Sequence, residues 1–145
     1  MPEGFEFAPK LPGDRRGGLD VFESRVRYLD ERLGPVRISL KKARDEGALE
    51  LLLGSLDPSL RLAFDLVHPS WDGIEPRLAE AGAVRVNDLD HPASFRYLRR
   101  REPPDAAFAA AVAALREPTY VYFRHEDEPT APAYASGLLE LLAAD

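Results

Sequence analysis

The sequence predicts a single α/β domain spanning residues 1–145, and three observations lead to this prediction. Six short segments are rich in β-branched and aromatic residues, a composition typical of strands. Segments with helical periodicity lie between most of them. The distance from one strand start to the next is mostly that of one βα unit, which predicts a mostly parallel sheet with the helices outside it.

The predicted strands span 5–11, 35–40, 60–67, 83–87, 95–99 and 119–125. Only the segment DLDHPAS (88–94) separates the fourth strand from the fifth, which leaves no room for a helix. Because parallel neighbours normally need a longer crossover, this pair is expected to be antiparallel or joined by a tight return without a helix.

The predicted helices span 19–34, 44–56, 72–82, 104–117 and 131–144. The first helix places one set of apolar side chains on a single face, namely Val21, Phe22, Val26, Leu29 and Leu33. Gly34 follows directly, and glycine is common just past a helix C-terminus, so we expect this helix to end there. Pro104 suits the first turn of the fourth helix, where a missing N–H group costs nothing.

The composition excludes several classes of protein. With 45% hydrophobic and 30% charged residues, the chain has ordinary globular composition, and the lack of cysteine excludes disulfides and thiolate metal sites. A net charge of −6 argues against general charge-driven binding to nucleic acid or anionic membranes. The N-terminus lacks the basic and apolar regions of a signal peptide, and the longest apolar run (106–115) is too short to span a bilayer. These features predict a cytoplasmic protein with no membrane partner.

All the histidines and lysines of the chain lie at the ends of predicted strands. They are Lys10, Lys41, Lys42, His68, His91 and His125. In parallel α/β proteins the catalytic and binding residues lie on loops that follow the carboxyl ends of strands. Such loops are polar with or without a function, so a solvated surface is the alternative interpretation.

Two pairs of residues offer acid–base chemistry. Asp65 and His68 are three residues apart across a strand end, which lets both approach one cavity, although a local turn before Pro69 is the alternative. His125 and Glu126 place a general base beside a carboxylate, with a solvated acidic loop as the alternative. Imidazole and carboxylate groups also suit divalent metals. A metal site could draw on His68, His91, His125, Asp65, Asp88 or Glu126.

Basic residues near strand ends are candidate anion binders. Lys41 and Lys42 follow the second strand, and the run RYLRRRE covers 96–102. Either group could hold a phosphate, whereas a loop leading into a helix and an ion-paired surface are the respective alternatives. The sequence contains no glycine-rich phosphate loop, no G-x-S-x-G elbow and no recognisable nucleic-acid-binding motif.

Four segments resemble, in sequence and in order, segments of the YecE-like family, also catalogued as domain of unknown function seventy-two. They are PEGFEFAPK (2–10), ERLGPVRISL (31–40), LRLAFDLVHPSW (60–71) and YVYFRHEDEPTAPAYASGLLELL (120–142). The resemblance implies a TIM-like (β/α) barrel. Members of the family have no established activity, and the likeness of their fold to barrel endonucleases has prompted suggestions of nucleic-acid chemistry.

The chain departs from the family pattern at several points. Family members begin with two further βα units, so the resemblance implies a partial barrel of about six strands with the first two units missing. Where the family has Glu-x-Arg-His, this sequence has Asp65-Leu66-Val67-His68, which shortens the carboxylate and removes the arginine. Six strands do not close a barrel that eight close. We therefore expect the chain to self-associate or to pair with a partner that supplies the missing strands.

Two functions follow as expectations from this resemblance. The first is that of a non-catalytic, degenerate relative kept for binding or assembly. The second is metal-assisted hydrolysis of phosphoesters or nucleic acid at the carboxyl ends of the strands. Asp65 and Glu126 would then act as bases or metal ligands, and His68 and His125 would act as acid–base groups. The candidate substrate-binding residues are Lys10, Lys41, Asp88 and Arg99. These residues identify no particular metal or cofactor.

Overall fold

A computed structural model of the chain describes residues 6–12, 19–124 and 130–144. Two compact units are present, Met1–Arg85 and Val86–Asp145. All the strand pairs within the described residues are parallel, and helices follow most of the strands, so the predicted α/β class is confirmed. None of the described helices is both long enough and apolar enough to cross a membrane.

The first unit contains a four-stranded parallel sheet in the order β1-β2-β3-β4. Its strands are β1 (Lys10–Pro12), β2 (Val36–Leu40), β3 (Leu62–Leu66) and β4 (Val84–Arg85). Its helices are α1 (Leu19–Arg27), α2 (Glu46–Ser55) and α3 (Glu75–Glu80), with 3₁₀ turns at Asp30–Arg32 and Pro69–Trp71. Each strand therefore pairs with the next strand along the chain.

The core of the first unit lies on one face of this sheet. Because successive strand residues point to opposite faces, only alternate residues of β1 to β3 reach it. These are Leu11, Val36, Ile38, Leu40, Leu62, Phe64 and Leu66. The helices and the second 3₁₀ turn contribute Val26, Leu49, Leu52, Trp71 and Leu78 to the same cluster. The other face of β2 and β3 carries polar side chains, and these define the candidate site below.

The first helix is shorter than predicted. It ends at Arg27, and the chain continues into the 3₁₀ turn through Asp30, whose φ of 48° lies in the left-handed region and cannot continue an α-helix. Gly34 has a different role from the predicted helix stop. Its N–H group donates to the Phe7 carbonyl at 2.7 Å, and a Cβ atom at this position would lie 3.0 Å from that oxygen. Glycine is therefore required here by the close approach of two backbone segments.

Other predicted elements also differ in their limits. The described first strand starts at Lys10, so Lys10 lies at the beginning of β1 and the prediction that it closes the strand is wrong. Strand β4 consists of two residues. It ends before Asn87, whose φ of 69° lies in the left-handed region. The predicted helix 72–82 is limited to α3, because Gly73 with a φ of 90° separates α3 from the preceding 3₁₀ turn.

The second unit contains a two-stranded parallel sheet and two helices. The strands are β5 (Arg96–Arg100) and β6 (Thr119–Phe123), and the helices are α4 (Ala106–Ala113) and α5 (Ala131–Ala143). Since β4 and β5 belong to different sheets, the first of the two expected arrangements, antiparallel pairing of these strands, does not occur among the described residues. The segment between them contains no helix, as predicted.

Aromatic contacts line both faces of this small sheet. On one face, the rings of Tyr97 and Tyr122 stack with centroids 5.0 Å apart. On the other face, the Arg100 guanidinium lies 4.1 Å from the ring centroid of Phe108 in α4. The Phe123 ring on that face contacts Tyr134 of α5 at a centroid distance of 5.9 Å. These contacts hold α4 and α5 against one face of the pair β5–β6.

Candidate functional site

Asp65, the predicted catalytic carboxylate, is bound to an arginine of the neighbouring strand. Both Nε and Nη2 of Arg37 contact the Asp65 Oδ2 atom, at 3.0 and 2.8 Å. Arg37 pairs in register with Ala63 and Ser39 with Asp65, so the two charged side chains meet diagonally on the sheet face opposite the core. Arg37 is 8% exposed. The carboxylate is therefore already neutralised by a buried cation.

His68, the predicted acid–base group, caps the 3₁₀ turn Pro69–Trp71. Its Nδ1 atom accepts a hydrogen bond from the Ser70 backbone N–H at 3.1 Å, and its ring is exposed. An accepting Nδ1 in a neutral imidazole places the proton on Nε2. Asp65 bonds to Arg37 and His68 bonds to Ser70, so these contacts engage the two residues with different partners.

Two neighbouring loops follow the carboxyl ends of β2 and β3 and are bonded to each other. We call residues 41–45 and 67–72 the loop rim. The buried indole of Trp71 donates its Nε1–H to the Lys42 carbonyl at 3.1 Å. The Arg44 backbone N–H donates to Ser70 Oγ at 2.7 Å, and the Arg44 side chain reaches the Asp72 carbonyl. The backbone of the loop rim is thus held in place from both sides.

The loop rim presents two exposed lysines. Within the described parts of the chain, neither Lys41 nor Lys42 has an acidic partner. Arg44, in contrast, is paired with Glu46 at 2.7 Å. Lys10 is exposed but lies opposite Arg37 in the sheet register, two residues before the end of β1. Among the described residues, Lys41 and Lys42 are therefore the cations of this rim that have no acidic partner.

Arg85 fixes the far side of the loop rim. Its Nη1 atom lies 2.8 Å from Glu75 Oε1 and 3.0 Å from Asp72 Oδ1, and its Nη2 atom donates to the Leu66 carbonyl at 2.9 Å. Burial opposes the charged form of Arg85, but the hydrogen bonds to Glu75 and Asp72 outweigh it and raise the pKa of Arg85. This guanidinium joins β3, β4 and the segment that leads into α3.

Sequence reasoning missed the strand arginines that organise this region. Arg37 lies inside β2 and Arg85 ends the two-residue strand β4, and each pairs with a carboxylate from another element. A charged residue within an apolar strand is itself a signal, because burial of a charge requires a partner. The identity of that partner depends on the register between strands, which the pattern of one strand does not contain.

Asp88, a predicted substrate-binding residue, organises a turn in the second unit. Its Oδ1 atom accepts the backbone N–H groups of Asp90 and His91 and lies 3.0 Å from His91 Nδ1. Burial raises the pKa of Asp88, but these hydrogen bonds outweigh it, and the net effect lowers the pKa. The Asp88 carbonyl also accepts from the buried Arg96, which pairs with Glu117 at 3.1 Å. The observed contacts of Asp88 are structural.

Arg99, the other candidate in this unit, lies within β5, one residue before the strand ends. Its backbone N–H group donates to Asn87 Oδ1 at 2.8 Å, and the Asn87 N–H donates to the Tyr97 carbonyl at 2.9 Å. Asn87 therefore occupies the edge of β5 that faces away from β6. The half-buried side chain of Arg99 stays a predicted ligand contact.

His125 and Glu126 lie outside the described residues. Among residues 6–12, 19–124 and 130–144, no group of three or more histidine, cysteine, aspartate or glutamate residues is arranged to hold a metal ion. Each predicted metal set that includes His125 or Glu126 therefore stays a prediction.

Comparison of the chain with protein-family models, with curated proteins and with solved structures found no match. The resemblance to the YecE-like family therefore rests on the sequence segments quoted above and stays a prediction.

Proposed function

We propose that this chain is a non-catalytic member of the YecE-like family that binds an anionic ligand, such as a phosphate group, at the loop rim. One observation carries the proposal. The rim presents Lys41 and Lys42 with no acidic partner among the described residues, whereas Asp65 and His68 are engaged by Arg37 and Ser70. Such an arrangement favours holding an anion over cleaving it.

The order of the strands supports a partial (β/α) barrel as the underlying fold. In the first unit, each strand pairs in parallel with the next along the chain, and the core that contains all three helices lies on one sheet face. A doubly wound fold instead places helices on both faces and reverses its strand order at a switch point. Successive parallel neighbours with helices on one side are typical of a barrel wall.

The chemistry of the loop rim suits a phosphate or carboxylate ligand. Each lysine ammonium group offers three donors, and both lysines follow the carboxyl end of β2, where parallel α/β proteins bind ligands. The contacts of Trp71 and Arg44 hold the backbone from which these side chains extend. Ordering of this loop therefore costs little when a ligand binds, because the backbone is already in place.

The engagement of Asp65 supports the non-catalytic assignment. A general base must lie within hydrogen-bond reach of the proton that it removes, and a metal ligand must turn its lone pairs to the ion. Both nitrogen contacts of Arg37 are made to the same oxygen of Asp65, on the polar sheet face. Use of this carboxylate as a general base would leave the buried guanidinium without a compensating charge, which is costly.

The test is a titration of the full chain with inorganic phosphate and pyrophosphate, followed by amide chemical shifts in NMR spectra. We expect the shifts to cluster in residues 41–45 and 67–72. Lys41→Ala and Lys42→Ala should each weaken binding by about 3- to 10-fold, which corresponds to a net contact of about 0.5–1.5 kcal/mol. Arg25→Ala removes an exposed cation on α1 and serves as the matched control, with affinity unchanged.

Hydrolysis assays separate this proposal from the phosphoesterase alternative. The wild-type chain is incubated with a phosphodiester and with manganese or zinc, alongside Asp65→Asn. Metal-dependent turnover that is lost in Asp65→Asn would contradict the non-catalytic assignment. Phosphate-induced amide shifts that are the same in Lys41→Ala, Lys42→Ala and the wild-type chain would contradict the location of the site.

A further inference from the structure

The hydrogen bonds between β5 and β6 determine which backbone groups of β6 are left at its outer edge. The Arg96 N–H donates to the Pro118 carbonyl, and the Arg124 N–H donates to the Arg100 carbonyl, both at 2.8 Å. In a parallel pair, alternate residues of a strand turn both backbone groups to the same neighbour. Tyr120 and Tyr122 therefore face β5 with their N–H and C=O groups.

The remaining residues of β6 turn their backbone groups away from β5. They are Thr119, Val121 and Phe123. Within the part of the chain that the structure describes, β6 is the last strand of its sheet, and no backbone hydrogen bond to these outward groups is present. The outer edge of β5 is different, because Asn87 bonds to both Tyr97 and Arg99 there. Among the described residues of the second unit, one edge of its sheet thus has a partner and the other has none.

The sequence of β6 does nothing to discourage pairing at this open edge. Natural edge strands are commonly protected by a charged residue, a proline or a bulge. The strand TYVYF has none of these and consists of residues with high β propensity. An uncharged strand of this kind is a ready template for another strand.

We propose that β6 pairs with β6 of a second copy of this chain, antiparallel about a two-fold axis that passes between the two Val121 residues. In this register, Thr119 lies opposite Phe123 of the second copy, and Val121 lies opposite its own counterpart. These are the residues whose backbone groups face outward. Each such pair exchanges two hydrogen bonds, which gives about six across the interface.

The order of side chains in β6 favours its own copy as the partner. Tyrosines flank Val121 on both sides, so the two-fold axis brings Tyr120 opposite Tyr122 of the second copy. Cross-strand aromatic pairs stabilise antiparallel strands, and this pair would extend the existing stack of Tyr97 on Tyr122. The chain carries a net charge of −6, so copies repel each other, and an uncharged strand is a contact at which that repulsion is small.

This inference specifies the surface for the self-association that the sequence predicts, and it does not depend on the anion site. Lys41→Ala and Lys42→Ala should dimerise like the wild-type chain. A result that contradicts one proposal therefore does not contradict the other.

The first experiment combines sedimentation equilibrium with amide hydrogen exchange of the full chain, at low and high protein concentration. We expect a reversible dimer in which exchange at Thr119, Val121 and Phe123 slows as the dimer forms. The amides of Tyr120 and Tyr122 face β5 and serve as an internal reference, because they should be protected at both concentrations. A chain that stays monomeric at millimolar concentration would overturn the proposal.

Two further exchange results would also overturn it. In one, a dimer forms while the outward amides exchange as fast as in the monomer, which would place the interface elsewhere. In the other, these amides are already protected in the dilute monomer, which would mean that they have a partner within the same chain.

The second experiment compares Thr119→Pro with Thr119→Val. Proline removes the outward N–H group at the first residue of an edge strand, a position that tolerates it, and leaves the hydrogen bonds to β5 in place. Since the loss occurs in both copies, two interface hydrogen bonds disappear, and we expect the dimer dissociation constant to rise by about 30-fold. Valine keeps the N–H group and should dimerise normally. Equal dissociation constants for the two variants would contradict edge pairing, whereas the exchange pattern of the wild-type chain remains decisive if Thr119→Pro fails to fold.

Discussion

The guanidinium of Arg37 holds the carboxylate of Asp65 through two contacts, of 2.8 and 3.0 Å, between neighbouring strands of the first unit. The side chains are 10% and 16% exposed, so the pair is largely removed from water. An ion pair of this kind costs desolvation, and the loss of either member leaves the other charge without compensation. Asp65 is therefore a structural residue by its observed contacts.

Asp65→Ala is expected to lower the free energy of unfolding by about 3 kcal/mol, because the buried Arg37 loses its counter-ion. The double variant Arg37→Met with Asp65→Leu should recover most of this loss, since an apolar pair of similar volume needs no compensation. Urea denaturation monitored by far-ultraviolet circular dichroism measures both changes. Glu31→Ala removes an exposed carboxylate and should alter stability by less than about 0.5 kcal/mol.

The outcome for Asp65 also bears on function. A carboxylate kept for catalysis often sits at a cost to stability, and its replacement then leaves the fold as stable or more stable. Unchanged or increased stability in Asp65→Ala would therefore contradict the structural role and would favour the hydrolase alternative.

Two glycines of the first unit should respond to alanine in opposite directions. At Gly34 the added Cβ atom would meet the Phe7 carbonyl oxygen at 3.0 Å, and that oxygen is held in place because it accepts the Gly34 N–H. Gly34→Ala should therefore destabilise the chain by about 1–3 kcal/mol, as overpacking does. Gly54 lies within α2, and a Cβ atom there has nothing within 4 Å. Gly54→Ala should stabilise the chain by about 0.5–1 kcal/mol, because alanine loses less backbone entropy in a helix.

Thermal and urea denaturation of the two single variants test this pair of expectations. The sign of each change is the informative quantity. A stabilising Gly34→Ala would mean that the segments at Phe7 and Gly34 can separate without cost.

Asp88 should make the stability of the second unit fall in acid. Burial raises its pKa, but the hydrogen bonds from the His91 ring and from the backbone N–H groups of Asp90 and His91 outweigh burial, so the folded-state pKa lies below the ordinary value. The ionised carboxylate therefore adds stability that is fully present above the unfolded-state pKa of about 4. This contribution is lost as the pH falls through the folded-state pKa.

Unfolding midpoints in urea between pH 6 and pH 2.5 test the role of Asp88. We expect the wild-type midpoint to fall below about pH 4, with a smaller fall in Asp88→Asn, which keeps an acceptor oxygen but does not titrate. Glu50, paired with Arg77, also has a lowered pKa and contributes in the same direction. Glu50→Gln is therefore the comparison variant, because it removes an exposed carboxylate that also has a lowered pKa. A pH dependence identical in Asp88→Asn and the wild-type chain would show that this turn does not depend on the charge.

The sequence alone determined the α/β class and the approximate position of each described strand. The predicted strands 35–40 and 95–99 match β2 and β5 to within one residue at each end. These successes share a cause, because the alternation of apolar residues and the positions of proline are local properties of the chain.

Tertiary structure alone decided the partners of the charged groups and the ends of several elements. Asp65 and His68 were expected to serve one cavity, but Asp65 meets Arg37 through the register of β2 with β3, and His68 caps its own turn. Helix α1 ends at Arg27, before the left-handed Asp30, and Gly34 lies against the Phe7 backbone instead of ending the helix. The contacts of Asp65 and Gly34 join residues far apart in the chain, whereas the cap by His68 is local. Local sequence patterns record which face of an element is apolar, whereas the neighbour of a polar side chain is decided only when strands and loops are brought together.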